Sequence, residues 1–263
     1  MLLAINVNNT NTTLGLWDGR QWARNWRIRS VRDKTADEYG IYLRVLLREA
    51  GLTEAINGVV MGSVVPVLTG AFVAMSERYL GQTPFQVRAD TAANVRILTD
   101  NPAEVGADRI ANAAGAYEWY RGPSIVIDMG TATTFDVVAA DGALLGVAIA
   151  PGIQIAADAL AGRAAQLSQV ALQAPAKAIG RNTIQAMQSG IVFGYAGLVE
   201  GLVGRLKREL QELKEMEGNE KPVRIIGTGG LISLITPHTA VIDHVDPWLT
   251  LSGLRVIYDQ VAK

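Results

Sequence analysis

The feature that most constrains this chain is a β-hairpin pattern that occurs twice, at an offset close to half its length. In the first copy an apolar run, Leu2 to Ile5, enters Asn6-Val7-Asn8-Asn9-Thr10-Asn11-Thr12-Thr13, leaves through Leu14-Gly15-Leu16-Trp17 and turns at Asp18-Gly19. In the second, Ile125 to Ile127 enters Asp128-Met129-Gly130-Thr131-Ala132-Thr133-Thr134, leaves through Phe135 to Ala140 and turns at Asp141-Gly142. Short β-branched runs bounded by polar and Gly-rich turns read as buried strands joined in a hairpin. Laid together, Asn6 matches Asp128, Asn8 matches Gly130, Asn9 matches Thr131, Asn11 matches Thr133 and Thr12 matches Thr134. A duplicated unit fixes an architecture before any single element does, so two similar lobes with their hairpins facing one cleft are expected.

The stretches between and after the hairpins alternate strand and helix, which argues α/β with mixed sheets. Trp22 to Arg29 alternates as a third strand, Thr35 and Glu38 form a capping box, and Tyr39 to Ala50 continues as an amphipathic helix that stops at Gly51. Gly58 to Ser63 is a buried strand, Pro66 to Leu80 a helix, Phe85 to Val87 a short strand, and Ile110 to Trp119 a helix with Asp108 and Arg109 at its N-terminal end. Beyond the second hairpin, Leu144 to Ile149 reads as a strand, Pro151 to Leu160 turns into a helix, and Ile184 to Val203 is a largely apolar helix. It continues through Arg205 to Glu217 as a solvated, mixed-charge face. Val223 to Ile226 is a last strand, followed by Gly227-Thr228-Gly229-Gly230 and the helical Leu231 to Ile235.

Composition excludes several classes. Lys plus Arg is 24 against 25 for Asp plus Glu, a formal charge of -1, so neither a nucleic-acid backbone nor an anionic membrane surface is an expected partner. There are no cysteines, which removes disulfides, thiolate metal sites and cysteine nucleophiles. The first residues show no basic leader followed by a long apolar region, and a cytoplasmic location is expected. The most apolar candidate for a membrane span, Gly142 to Ala157, is short of the roughly 20 residues needed and is broken by Pro151-Gly152, so it reads as core.

The chemistry-bearing residues cluster in three turns and one acidic motif. Gly130 permits close backbone approach to a ligand, and Thr131, Thr133 and Thr134 offer hydroxyl donors to phosphoryl oxygens. Asp128 and Asp136 bracket the second hairpin, and a carboxylate at a buried strand end is costly without a cation or donors, which points Asp128 toward a metal. Gly227 to Gly230 alone is as readily a tight turn as a ligand loop, but together with two related hairpins it forms a specific set. In Glu104-Val105-Gly106-Ala107-Asp108-Arg109, Asp108 is either a proton acceptor or an ordinary helix cap. Arg109 either forks onto an anionic substrate or makes a surface pair. His238 and His244 show no metal-ligand spacing.

With Gly180-Arg181-Asn182-Thr183 and Thr35-Ala36-Asp37-Glu38-Tyr39 added, these motifs resemble the type III pantothenate kinases of the actin, hexokinase and acetate kinase superfamily over essentially the whole chain. The resemblance implies an α/β fold of two similar ribonuclease H-like (actin-like ATPase) lobes, residues 1–115 and 116–263, with mixed sheets flanked by helices and a cleft between them. It implies ATP-dependent phosphorylation of pantothenate to 4'-phosphopantothenate, the first step of coenzyme A biosynthesis, with Mg²⁺ and K⁺ (or NH₄⁺), in a homodimer whose sites lie at the subunit interface.

Carried over, Asp108 is the catalytic base, and Gly106, Ala107, Asp108, Arg109 and Thr183 bind pantothenate. Asn6, Val7, Asn8, Asn9, Thr10, Asn11, Thr12, Thr13, Gly130, Thr131, Gly227, Gly229 and Gly230 bind ATP, and Asp128 holds the monovalent cation. The family pattern at the first hairpin is Asp, any residue, Gly, Asn, Thr, with the acid placing Mg²⁺ through water, whereas this chain has Asn6-Val7-Asn8-Asn9-Thr10. That departure leaves two further readings open. One is a weakened or inactive relative with a regulatory or interaction role; the other is a kinase of the same superfamily acting on another small acid.

Overall fold

The two hairpins seed two sheets with the same strand order. In the computed structural model, which describes residues 1–52, 56–92, 95–164, 167–216 and 221–261, the first sheet contains β1 (Leu2–Val7), β2 (Asn11–Trp17), β3 (Trp22–Arg29), β4 (Gly58–Ser63) and β5 (Phe85–Val87). They lie in the order β3-β2-β1-β4-β5. The second contains β6 (Ser124–Met129), β7 (Ala132–Val138), β8 (Leu144–Pro151), β9 (Arg224–Thr228) and β10 (His244–Val245), ordered β10-β9-β6-β7-β8, which read from its other edge is the same arrangement. In each sheet the hairpin and the strand after it pair antiparallel, and the two later strands pair parallel. Antiparallel neighbours need only a tight turn, whereas each parallel strand is reached by a helical crossover.

The hairpins differ by one residue at the turn. Asn6 pairs with Thr13 and Val7 with Thr12, while Asp128 pairs with Thr134 and Met129 with Thr133. Asn8 N–H closes the first turn on Asn11 C=O, and Gly130 N–H closes the second on Ala132 C=O. The matches Asn6 to Asp128 and Asn8 to Gly130 therefore hold, but beyond the turn Thr12 corresponds to Thr133 and Thr13 to Thr134. A match without a gap is one position out beyond the turn, because a turn can lose a residue without altering the strands it joins.

The helices are α1 (Ala36–Glu49), α2 (Pro66–Leu80), α3 (Ala107–Tyr120), α4 (Ile153–Arg163), α5 (Thr183–Met216), α6 (Ile232–Ile235) and α7 (Leu249–Val261). α1 opens on the expected capping box, with Thr35 accepting from Glu38 N–H and the Glu38 carboxylate accepting from Thr35 N–H. Alternation in β1 sends Leu3, Ile5 and Val7 to one face, where Tyr39 and Leu43 of α1 and Leu68, Phe72 and Met75 of α2 bury them. In the second unit Ile125, Ile127, Met129 and Phe135 pack against Ile153 of α4 and Ile191, Val192 and Val199 of α5. Each such side chain contributes about 1.5–3 kcal/mol by leaving water. Residues Thr183–Leu213 of α5 are long and apolar enough to cross a membrane by length and composition, yet they supply much of this core. The mixed-charge tail expected through Glu217 is part of α5 as far as Met216; Glu217 lies outside the described residues. The apolar segment Gly142 to Ala157 forms β8 and the start of α4.

The chain divides into two compact units, Met1–Glu118 with Leu249–Lys263, and Trp119–Trp248. The C-terminal helix α7 belongs to the first unit. Its apolar stripe covers the face of the first sheet that α1 and α2 leave open, with Leu251 against Gly15 and Leu254 against Gly62. Gly253 backs directly onto the Ala111 carbonyl of α3, Ser252 Oγ accepts from Trp22 Nε1 at 3.2 Å, and Thr250 Oγ1 donates to Asn112 Oδ1 at 2.7 Å.

Candidate functional site

The first turn sits at the carboxyl end of β1. Asn6, on that strand, is 6% exposed, Asn8 is half-buried, and Asn9 and Thr10 form the exposed tip. Asn6 is on the last stretch of strand before the hairpin tip, and Asn8 begins the tip itself, one residue past the end of β1. Both amide oxygens are buried and make no hydrogen bond. Thr12, fully buried, is satisfied by Ser30 Oγ at 2.9 Å.

The acidic motif lies on the same side of the same sheet. Asn6 and Gly62 are partners across the parallel β1–β4 pair, and a side chain at Gly62 would stand 3.3 Å from Ala107 Cβ. Ala107 opens α3, so the next residue, Asp108, is held in the first helical turn, where the helix dipole favours a carboxylate. Asp108 is 6% exposed. Arg109 donates from Nη2 to Asp108 Oδ2 at 2.9 Å and from its backbone N–H to Oδ1 at 2.9 Å. This is a largely buried ion pair that fixes the carboxylate's orientation. Two of the four acceptor positions of the carboxylate are then engaged, leaving capacity for a substrate hydroxyl. Gly106 comes so close that a Cβ there would lie 2.7 Å from Asp108 Oδ1.

Beside this motif opens a cavity of about 590 Å³, lined in part by Ser63, Val64, Gln86, Arg88, Glu104 and Gly106. It lies past the carboxyl ends of β4 and β5, where α/β sheets habitually bind ligands. Gln86, Arg88 and Val64 were absent from the sequence-derived candidates. The signal for them is the parallel order of β4 and β5, which residue order does not declare.

In the second unit the Gly-rich loop folds onto the end of β6. Gly229 adopts φ +90°, and a Cβ there would stand 2.5 Å from Asp128 Oδ1 and 2.6 Å from Met129 N. Only glycine combines that left-handed backbone with so close an approach. Leu231 N–H donates to Met129 C=O at 3.1 Å, which pins the loop to the hairpin. Gly229 therefore meets Asp128 at the end of β6, with Gly230 next to it in the loop. Thr131 is exposed at the hairpin tip, and Thr133 Oγ1 is buried without a hydrogen bond. Thr183, the first residue of α5, is solvent-exposed beside Asn182, whose Oδ1 accepts from Gln185 N–H at 2.9 Å and caps the helix.

The donor sets of the two turns differ in charge. Asp128 presents a half-buried carboxylate among backbone groups, which suits a monovalent cation. The first turn presents two orphaned amide oxygens and no carboxylate, and among the described residues no three His, Asp or Glu side chains gather as a metal-binding group. Mg²⁺ is typically held by one or two carboxylates plus phosphates. The first turn does not fit a Mg²⁺ site built on a carboxylate.

Two ribonuclease H-like units of identical strand order, each with a small-residue turn at its central hairpin, define the actin-like class of α/β proteins. The (R)-2-hydroxyglutaryl-CoA dehydratase component A of Acidaminococcus fermentans shares the fold, with a TM-score of 0.55 at 14% identity over 100% of this chain and 99% of that one. The family model for type III pantothenate kinase matches residues 2–205. A type III pantothenate kinase from Moorella thermoacetica is 48% identical over 99% of both chains, and one from Geobacter sulfurreducens is 45% identical over 99% of both. The chain belongs to the type III pantothenate kinase family.

Proposed function

We propose that this protein transfers the γ-phosphoryl group of ATP to the primary hydroxyl of pantothenate, yielding 4'-phosphopantothenate and ADP. The observation that carries this reading is the buried, Arg109-oriented carboxylate of Asp108 on the same sheet face as the Asn6 turn. The pantothenate hydroxyl oxygen forms a bond to the γ-phosphorus as the bond from that phosphorus to its bridging oxygen breaks. The electron pair leaves on ADP, and the hydroxyl proton passes to Asp108. Phosphoryl transfer asks mainly for positioning and charge compensation, which turns, donors and one base supply.

In this reading Asn6 to Thr13 hold the phosphates with Gly130 and Thr131, Thr12 only through its backbone because its hydroxyl is bonded to Ser30, and Gly227, Gly229 and Gly230 lie along the nucleoside. Gly106, Ala107, Asp108 and Arg109 bind pantothenate, which the adjoining cavity has room to admit. Asp128 is the ligand for K⁺ or NH₄⁺, a positive charge that offsets the phosphates when bound, and Mg²⁺ arrives already complexed to ATP. A homodimer is supported by large apolar side chains left in solvent in the second unit, among them Ile149 at 72% and Ile179 at 83% exposure, with Ile184 beside Thr183. Thr183 would then serve the partner's pantothenate site. A cytoplasmic location agrees with the cysteine-free composition.

ADP release measured with pantothenate, Mg²⁺ and K⁺ tests the activity. Asp108→Asn is expected to lower kcat by about 10²–10⁴-fold while pantothenate still binds by calorimetry. Absence of turnover by the unaltered enzyme would overturn the function, and unchanged turnover in the variant would overturn the base.

A further inference from the structure

We infer that Asn6 and Asn8 grip the nucleotide phosphates directly through their side-chain amides, so that this protein binds nucleotide without a divalent cation. The inference deepens the reading of the first turn as a phosphate site and rests on it. Asn6 is more than nine-tenths buried, and the amide oxygens of Asn6 and Asn8 have no partner, although leaving buried acceptors unbonded is unfavourable. The neighbouring hydroxyl of Thr12 is satisfied, so the turn does have partners within reach of polar groups. What remains unmet is a pair of amide oxygens at the end of β1, with Asn6 on the face where Ala107 delivers Asp108 and Asn8 next along the chain at the hairpin tip. That is where a transferable phosphoryl group has to lie.

Phosphate oxygens accept hydrogen bonds and repel other acceptors. A carboxylate in this place needs a cation between itself and the phosphate. An amide does not, because turning its end group by about 180° puts an NH₂ donor where the oxygen stood. Two such donors reach phosphoryl oxygens as charge-assisted bonds. Divalent cation is then needed for the chemical step but not for binding, and restoring a carboxylate at residue 6 ties binding to the metal.

Calorimetric titration of ADP in excess EDTA and in excess MgCl₂, at one ionic strength, tests this on the full-length protein and on Asn6→Asp. For the unaltered protein the two Kd values are expected within about threefold of each other, while Asn6→Asp weakens at least about tenfold in EDTA and recovers with MgCl₂. Asn8→Gly, which removes one donor without adding charge, is expected to weaken binding by a few-fold, roughly equally in both buffers. It keeps the proposal testable if Asn6→Asp does not melt cooperatively. ADP binding by the unaltered protein only in MgCl₂, or equal affinity of Asn6→Asp in both buffers, would overturn the direct grip while leaving the phosphate site standing. No ADP binding in either buffer would overturn the phosphate site and the grip together.

Discussion

The two central hairpins share a fold and differ in chemistry. Each is flanked by an antiparallel strand on one side and a parallel strand on the other. At the same strand position, however, the first carries the amide of Asn6 and the second the carboxylate of Asp128, and two residues on, Asn8 stands opposite Gly130. The hydroxyls diverge as well, since Thr12 is bonded to Ser30 and its counterpart Thr133 is not. Duplication thus fixes where a ligand-facing group sits, and the side chain decides which charge it meets. The first turn is neutral and carries two amides with unbonded oxygens, whereas the second is acidic and is closed over by Gly229.

The largest effect expected from testing this division of labour comes from making the second turn resemble the first. Asp128→Asn removes the negative charge assigned to the monovalent cation and leaves the strand pairing unchanged. Turnover at saturating K⁺ is expected to fall about 10²-fold, by analogy with losing one preorganised electrostatic group, and the residual rate to become insensitive to replacing KCl by tetramethylammonium chloride. A variant that keeps both its rate and its K⁺ dependence would show that the carboxylate does not mark the difference between the turns.

Much of this contrast was legible in residue order alone. The duplicated strand–turn–strand pattern is local, and alternation with Asn, Asp and Gly at the turns identifies it without tertiary information. The capping box at Thr35 and Glu38 and the helix from Pro66 to Leu80 are readable for the same reason. The Asp128 and Gly229 pair was inferable as two ligand-like turns, but not as a contact, because the sequence does not state that β9 lies parallel to β6. The destination of α7 was hidden too. An amphipathic helix declares which of its faces is apolar, not which sheet it will cover, and Leu251 and Leu254 fit the open face of the first sheet. The unbonded amide oxygens of Asn6 and Asn8 show in the sequence only as a departure from a pattern, since an unsatisfied atom is a property of packing.

A smaller effect is expected at the loop that closes the second turn. Beside Asn6 of the first hairpin, its strand partner Gly62 faces Ala107 and Leu254; at the second turn the backbone of Gly229, at φ +90°, lies against Asp128. Gly229→Ala imposes a left-handed conformation on a residue with a Cβ and drives that Cβ toward the carboxylate. It should destabilise the protein by about 1–3 kcal/mol in urea unfolding. It should also raise the K⁺ concentration giving half-maximal activity, because Asp128 has to shift. Loss of stability with unchanged K⁺ activation would mean that the loop supports the fold but not the cation site.

The finest test uses the same substitution at the two equivalent threonines. Thr12→Val breaks the 2.9 Å bond to Ser30 and leaves that half-buried hydroxyl short of a partner, at a cost of about 1 kcal/mol. Thr133→Val exchanges an unbonded, fully buried hydroxyl for a methyl of the same shape, at a strand position that suits a β-branched residue. Removing an unsatisfied buried group is neutral or favourable, so without ligand the Thr133 variant should be unchanged or more stable by up to about 1 kcal/mol. Nucleotide should reverse the ranking. If the Thr133 hydroxyl is kept unpaired for a phosphoryl oxygen, Thr133→Val weakens ADP binding several-fold and Thr12→Val leaves it alone, because the Thr12 hydroxyl is already committed within the protein. Equal destabilisation by both substitutions in ligand-free urea unfolding would show that Thr133 is satisfied in solution, and the polar asymmetry between the hairpins would then reduce to Asn6, Asn8 and Asp128.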